Sequence, residues 1–158
     1  MAYDFSADEI FVMAEQLERN GAKFYRDSAK KVEDPDFRKL LNDLAQMEIE
    51  HEKTFIALRA EITEKEKESS VFDPEGEAGL YLRALADSRV FFEKEMDVIS
   101  LEEILKAAIT AEKDSIVFYL GMKDAVPENL GKGRIETIIR EEMGHIKFLS
   151  SKLVSLNA

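Results

Sequence analysis

The chain has 158 residues, 45% of them apolar, with 7 Gly, 3 Pro, no Cys and a formal net charge of −11. That length predicts one compact domain over 1–158, and so few Gly and Pro among many Glu, Lys, Leu and Ala predict an all-α fold rather than a sandwich or barrel. The acidity and the lack of any Lys/Arg cluster exclude a nucleic-acid binder. The missing cysteines exclude disulfides, thiolate metal sites, iron–sulfur clusters and cysteine nucleophiles, so any metal must use Glu, Asp or His.

Ser6 followed by Glu9 is a capping-box signature, and Phe11, Ala14, Glu18, Ala22 and Tyr25 keep helical spacing to about Lys31. Asp34 and Pro35 then supply an N-cap and a first-turn proline, after which Leu41, Leu44, Glu48, His51, Phe55 and Leu58 form one stripe to about Glu66. From Lys67 to about Ser100 the pattern weakens. Asp73-Pro74 starts a short helix there, Phe91 and Phe92 mark an apolar segment, and the whole reads as a long crossover. Ser100 with Glu103 repeats the capping box, and Leu105, Ala108, Glu112, Ile116 and Tyr119 share a face to about Asp124. Beyond a loop from Pro127 to Gly133, Ile135, Ile138, Glu142, His145, Leu149 and Leu153 line a fourth helix. Two helical hairpins joined by one long connection make a four-helix bundle with a single crossover. No segment approaches 18 uninterrupted apolar residues, and no basic stretch precedes a signal-like apolar run. A cytoplasmic protein with no membrane contact is the expectation.

The two hairpins repeat each other. ERNGAKFY, Glu18 to Tyr25, aligns with EKDSIVFY, Glu112 to Tyr119, and EIEHEK, Glu48 to Lys53, aligns with EMGHIK, Glu142 to Lys147. The offset is 94 residues at Glu18/Glu112, Tyr25/Tyr119, Glu48/Glu142 and His51/His145, without a gap. The chain has only two histidines, and each has a Glu three residues and another 33 residues before it. The loop at Asp34 bisects Glu18 and Glu48, so roughly 23 Å up one helix and about 21 Å down the next bring both to one height. Pro127 likewise bisects Glu112 and Glu142. In Glu-x-x-His the two side chains project from adjacent turns of one helix face, which is a metal-ligand spacing. Four carboxylates clustered within apolar stripes would repel one another and are costly to bury. Two divalent cations would cancel their charge, and carboxylate with imidazole suits hard or borderline metals.

These residues resemble the ferritin-like di-iron carboxylate proteins, especially the rubrerythrin branch, over almost the whole chain. The class uses a Glu from each of two helices and a Glu-x-x-His from each of the other two. Glu18, Glu112, Glu48/His51 and Glu142/His145 occupy those places here. The resemblance implies two iron ions, with manganese, a mixed pair or substituted zinc also fitting. It implies Glu48 and Glu142 as bridging ligands, Glu18 and Glu112 as terminal ones, and one His for each metal. It further implies hydrogen bonds from Tyr25 and Tyr119 to ligand carboxylates, where the plain alternative is aromatic core. Two features depart from the rubrerythrin pattern. Those proteins carry another Glu three residues after the third-helix ligand, where this chain has Ser115, and they often carry a cysteine-ligated rubredoxin domain, which this chain lacks.

The function implied is that of a non-haem di-iron oxidoreductase reacting with hydrogen peroxide or dioxygen, supplied with electrons by a separate donor and forming a homodimer. Iron storage with iron oxidation at the same centre is the alternative, and a structural bundle holding an inactive or zinc-filled site is a third reading. Glu15 and Glu52 lie near the ligand faces, but their repeat partners are Ile109 and Ile146, so solvated side chains are expected. Met13, Met47 and Met143 read as gap-filling core rather than haem ligands.

Overall fold

The computed structural model describes residues 7–62, 100–126 and 131–157. They form four helices, α1 (Ala7–Lys31), α2 (Pro35–Ala60), α3 (Leu101–Ala125) and α4 (Lys132–Leu156), with no strand among the described residues. The predicted crossover from Lys67, its short helix, Phe91 and Phe92, the Ser6 cap and Pro127 lie outside the described residues.

The punctuation follows from local chemistry. Asp34 Oδ1 accepts the Asp36 N–H at 2.9 Å and Pro35 opens α2, so an orphan helix donor is satisfied where proline costs nothing. Ser100 Oγ accepts the Glu103 N–H at 3.2 Å and starts α3 in the same way. The α1–α2 turn is locked from the second helix. The Arg38 guanidinium donates to the Val32 carbonyl at 2.7 and 3.1 Å and to the Ala29 carbonyl at 3.2 Å, taking up acceptors left free at the end of α1. Gly131, at φ 87°, precedes α4 in the left-handed region. A Cβ there would lie 2.4 Å from Leu58 Cδ2, so both the backbone and the space require glycine.

α2 stops at Ala60, short of the Glu66 that periodicity predicted. Its last turn tightens, with Glu61 N–H donating to Leu58 O and Ile62 N–H to Arg59 O, both at 3.1 Å. Ile62 then turns into the core, where it is buried with Leu58 and Phe55. α4 begins at Lys132, so the last two residues of the predicted loop are helical, and it runs to Leu156.

Two apolar clusters fill the bundle. One joins the start of α1 (Ala7, Phe11) to the end of α2 (Phe55, Leu58), the end of α3 (Tyr119, Met122) and the start of α4 (Ile135, Ile138). The other joins the end of α1 (Tyr25, Ala29) to the start of α2 (Leu41, Leu44), the start of α3 (Leu105, Ala108) and the end of α4 (Leu149). Each helix therefore runs antiparallel to both helices packed beside it, α1 against α2 and α3, and α4 against α2 and α3. Burial of each large side chain contributes roughly 1.5–3 kcal/mol, and the Phe55 ring is fixed between Phe11 and Tyr119, at centroid distances of 6.4 and 5.2 Å. Glu18, Glu48, Glu112 and Glu142 fall between the two clusters in the chain order of every helix. No described helix is long and apolar enough to cross a membrane.

Candidate metal centre

All six candidate ligands are buried, one carboxylate each from α1 and α3 and a Glu/His pair each from α2 and α4. They form two overlapping groups, Glu18, Glu48, His51 and Glu142, and Glu48, Glu112, Glu142 and His145. Within each group one donor atom per residue lies within 4.8 Å of the others. Glu48 and Glu142 belong to both groups and so occupy the middle of the site, where carboxylates able to bridge two ions would be needed.

Both imidazoles turn Nδ1 inward. His51 Nδ1 lies 2.9 Å from Glu142 Oε1, 3.5 Å from Glu18 Oε2 and 3.6 Å from Glu48 Oε2. His145 Nδ1 lies 3.3 Å from Glu142 Oε2 and 3.4 Å from Glu112 Oε1. The rings stack with centroids 6.1 Å apart. On the outer side His51 Nε2 meets Glu141 Oε2 at 2.6 Å.

The tyrosines cross the bundle reciprocally. Tyr25 Oη on α1 donates to Glu112 Oε1 on α3 at 2.6 Å, and Tyr119 Oη on α3 donates to Glu18 Oε1 on α1 at 2.5 Å. Both rings are fully buried, so they are core aromatics and carboxylate partners at once. Burial, and then the neighbouring carboxylates, push both phenols well above their ordinary pKa, which keeps them as proton donors.

Without metal, the buried charge is balanced by protons. Burial opposes charge on His51 and His145, but hydrogen bonds and attraction from Glu142, Glu18 and Glu112 outweigh it and raise the two imidazoles to about 11 and about 9. Burial, then repulsion from Glu142, raises Glu112 to about 8. Burial and the charge of Glu18 hold Glu48 well above the carboxylate range, and burial with Glu142 raises Glu18 as well. Burial also presses Glu142 upward, yet hydrogen bonds from Glu112, His145 and His51 prevail and its pKa lies below the ordinary value. The central carboxylate is thus the anion around which the other groups hold protons.

The donor set fits a pair of metal ions on more than composition. Among the described residues Glu112 Oε2, Glu142 Oε2 and His145 Nδ1 are buried without a well-aligned hydrogen bond, His145 Nδ1 facing Glu142 Oε2 at 3.3 Å, and all belong to the group centred on Glu48 and Glu142. A buried carboxylate oxygen that lacks a well-aligned donor costs about 1–3 kcal/mol, which a cation in the middle of the group would offset. On α1, Gly21 lies beside the Glu48 carboxylate, whose Cδ would be in ordinary contact, 3.4 Å, with a Cβ at that position.

Two accessory glutamates take other partners. Glu15 is buried rather than solvated as expected, and Arg59 grips both its oxygens, with Nη2 donating to Oε1 at 2.9 Å and Nε 2.6 Å from Oε2. Glu52 pairs with Arg19 at 2.8 Å. Neither joins the two groups. Of the methionines, Met47 and Met143 are exposed rather than core, and Met13 packs at the edge of one apolar cluster. Sequence periodicity overlooked Glu141, although the repeat holds a signal: the residue before Glu142 is acidic, while the residue before Glu48 is Met47.

Neither a protein-family profile nor a curated sequence matches the chain. Among solved structures, the chain superposes on a proposed ferritin-like diiron-carboxylate protein from Thermotoga maritima, with a TM-score of 0.72 and 24% identity over 97% of each chain. The fold is therefore a ferritin-like four-helix bundle. Within it lies a buried Glu/His cluster with the donors for two metal ions.

Proposed function

We propose that the chain is a non-haem di-iron protein, a rubrerythrin-like oxidoreductase that reduces hydrogen peroxide or dioxygen with electrons from a separate donor. The observation that carries this reading is the pair of four-donor groups sharing Glu48 and Glu142 inside a ferritin-like bundle. Glu18 and His51 would hold one ion, Glu112 and His145 the other, and Glu48 and Glu142 would lie between them. A reduced iron pair supplies the electrons that such small oxidants take up.

The residues of the chain set the conditions for that chemistry. His51 and His145 present Nδ1 to the site, and each must lose the proton it holds there before it can donate to a metal. Tyr119 and Tyr25 fix one oxygen each of Glu18 and Glu112, leaving the other oxygen free to ligate. The apolar clusters above and below keep bulk water from the centre. Ser115, buried three residues beyond Glu112, offers no carboxylate, so α3 lacks the extra Glu with which the rubrerythrins that the chain resembles change coordination. The protein works in the cytoplasm, and a homodimer is its assembly.

The test is metal content after anaerobic iron loading, for the native chain and for Glu48→Ala/Glu142→Ala. About two ions per native chain, lost in the variant, followed by oxidation of the reduced protein by peroxide or dioxygen, supports the proposal. A folded native chain that retains no metal would sink it. A large hollow assembly that accumulates iron would replace it with iron storage.

A further inference from the structure

We infer that the two halves of the centre are unequal because Glu141 is a positioning residue for His51 and His145 has no counterpart. The ion held by Glu18 and His51 then binds first and tightly, and the ion held by Glu112 and His145 binds second and exchanges faster. This rests on the di-metal reading proposed above.

The asymmetry stands out because the rest of the site is nearly symmetric. The 94-residue repeat duplicates the four carboxylates, the two histidines and the two tyrosines, and the tyrosine hydrogen bonds at 2.5 and 2.6 Å are equivalent on both sides. Outside the ring nitrogens the equivalence fails. His51 Nε2 has Glu141 at 2.6 Å, whereas His145 Nε2 is buried with no hydrogen-bond partner among the described residues. The repeat gives the reason. Glu141 directly precedes Glu142 on α4 and faces His51 on α2; the twin of Glu141 is Met47, which directly precedes Glu48 on α2, the helix packed beside the one carrying His145. A thioether cannot accept that N–H as a carboxylate does.

A carboxylate on the far nitrogen of a ligating imidazole fixes its tautomer, holds the ring and raises its basicity, and losing such a partner typically lowers metal affinity 10–100-fold. With Nε2–H committed to Glu141, the Nδ1 lone pair of neutral His51 is aimed at the site. His145 has neither its tautomer nor its ring plane set from outside. Glu141 itself is 42% exposed and Met47 38% exposed, so both positions accept substitution without disturbing the core.

The experiment titrates the full metal-free chain with cobalt(II), followed by its visible bands and by competition with a chromophoric chelator, for the native protein, Glu141→Gln and Met47→Glu. The native chain should take up two ions in two resolved steps. Glu141→Gln should weaken the tighter step about 10–100-fold and leave the weaker one in place, and Met47→Glu should tighten the weaker step by a similar factor. A general structural effect would move both steps together, so equal weakening of both by Glu141→Gln overturns the inference. So does a Glu141→Gln titration identical to the native one. Should Met47→Glu fail to fold, as judged by its helical circular dichroism, the Glu141→Gln titration decides alone. A native chain binding two ions with equal, unsplit affinity refutes the inequality but leaves the di-metal reading standing; a native chain binding none removes both.

Discussion

Loading the metal-free protein with two zinc ions at pH 7 should release at least about three protons, a number that follows from how the buried site balances its charge. His51 and His145, raised to about 11 and about 9, each carry a full extra proton at that pH, and Glu112, raised to about 8, is roughly ten to one protonated. Glu142, with its depressed pKa, contributes none, while Glu48 and Glu18, shifted upward, can only add to the total. The same side chains in a solvated, unstructured site would behave otherwise. Two histidines near 6.5 and carboxylates near 4.5 would together release only about half a proton at pH 7. Zinc is the metal to use because it has no redox step to confuse the count. Titration in weak buffer with an indicator dye, or calorimetry in two buffers of different ionisation enthalpy, reads the protons directly. The release should shrink to little more than one proton from these three groups at pH 9.5, where only His51 still holds its own. Two zinc ions bound at pH 7 with half a proton released would show that the histidines enter the site neutral, and the charge balance described for the metal-free core would be wrong.

The stability of the metal-free chain should carry the same signature. Glu112, raised to about 8, gives stability that is complete below 4.5 and lost as pH climbs to about 8; His145 and His51 give stability complete below 6.5 and lost through about 9 and about 11. Glu142, shifted the other way, loses its contribution as pH falls below 4.5. The metal-free Tm should therefore peak near pH 4.5 and drop toward pH 9, with a much flatter profile for the zinc form; a metal-free Tm that rises from pH 6 to 9 would contradict this. Gly131→Ala should destabilise the chain by roughly 2–4 kcal/mol in urea unfolding, combining a left-handed backbone with a Cβ 2.4 Å from Leu58, and a loss under about 1 kcal/mol would refute the geometry. Arg59→Met should cost about 1–3 kcal/mol, because it leaves the Glu15 carboxylate buried alone while Arg59 itself is 36% exposed. The double variant Glu15→Met/Arg59→Met should recover most of that loss, and strict additivity of the two single changes would remove the pair as the explanation.

The parts of the site that were legible in the sequence are those tied to helical register. Ligands on four helices must reach one level, so Glu18, Glu48, Glu112 and Glu142 had to keep fixed distances from the turns, and a duplicated hairpin displays those distances twice. Asp34, Pro35 and Ser100 were legible for a similar reason, since each satisfies or avoids a backbone donor within a few residues. Contacts made by long side chains reaching between helices leave no periodic trace. Arg38 on the carbonyls ending α1, Arg59 on Glu15 and Glu141 on His51 belong to that kind. The early end of α2 was hidden for another reason: the apolar stripe continues through Ile62, but Ile62 reaches the core by leaving the helix.

The contrast between Glu15 and the central carboxylates explains why one buried glutamate is structural and four others are suited to function. Glu15 meets a permanent cation that no change of pH within the ordinary range can discharge, so its charge is settled once and its position is locked. Among the described residues, the polar partners of Glu18, Glu48, Glu112 and Glu142 are one another, two tyrosine hydroxyls and two histidines, all of which can give up or keep a proton. Protons on these groups offset the charge of the metal-free core, and bound ions would take the place of those protons. Arginines at the same level would have stabilised the metal-free chain more firmly and closed the site to cations. Among the described residues the positive charges within the two donor groups are titratable imidazoles, while Arg19 pairs with Glu52 and Arg59 with Glu15, and this leaves the centre available to metal.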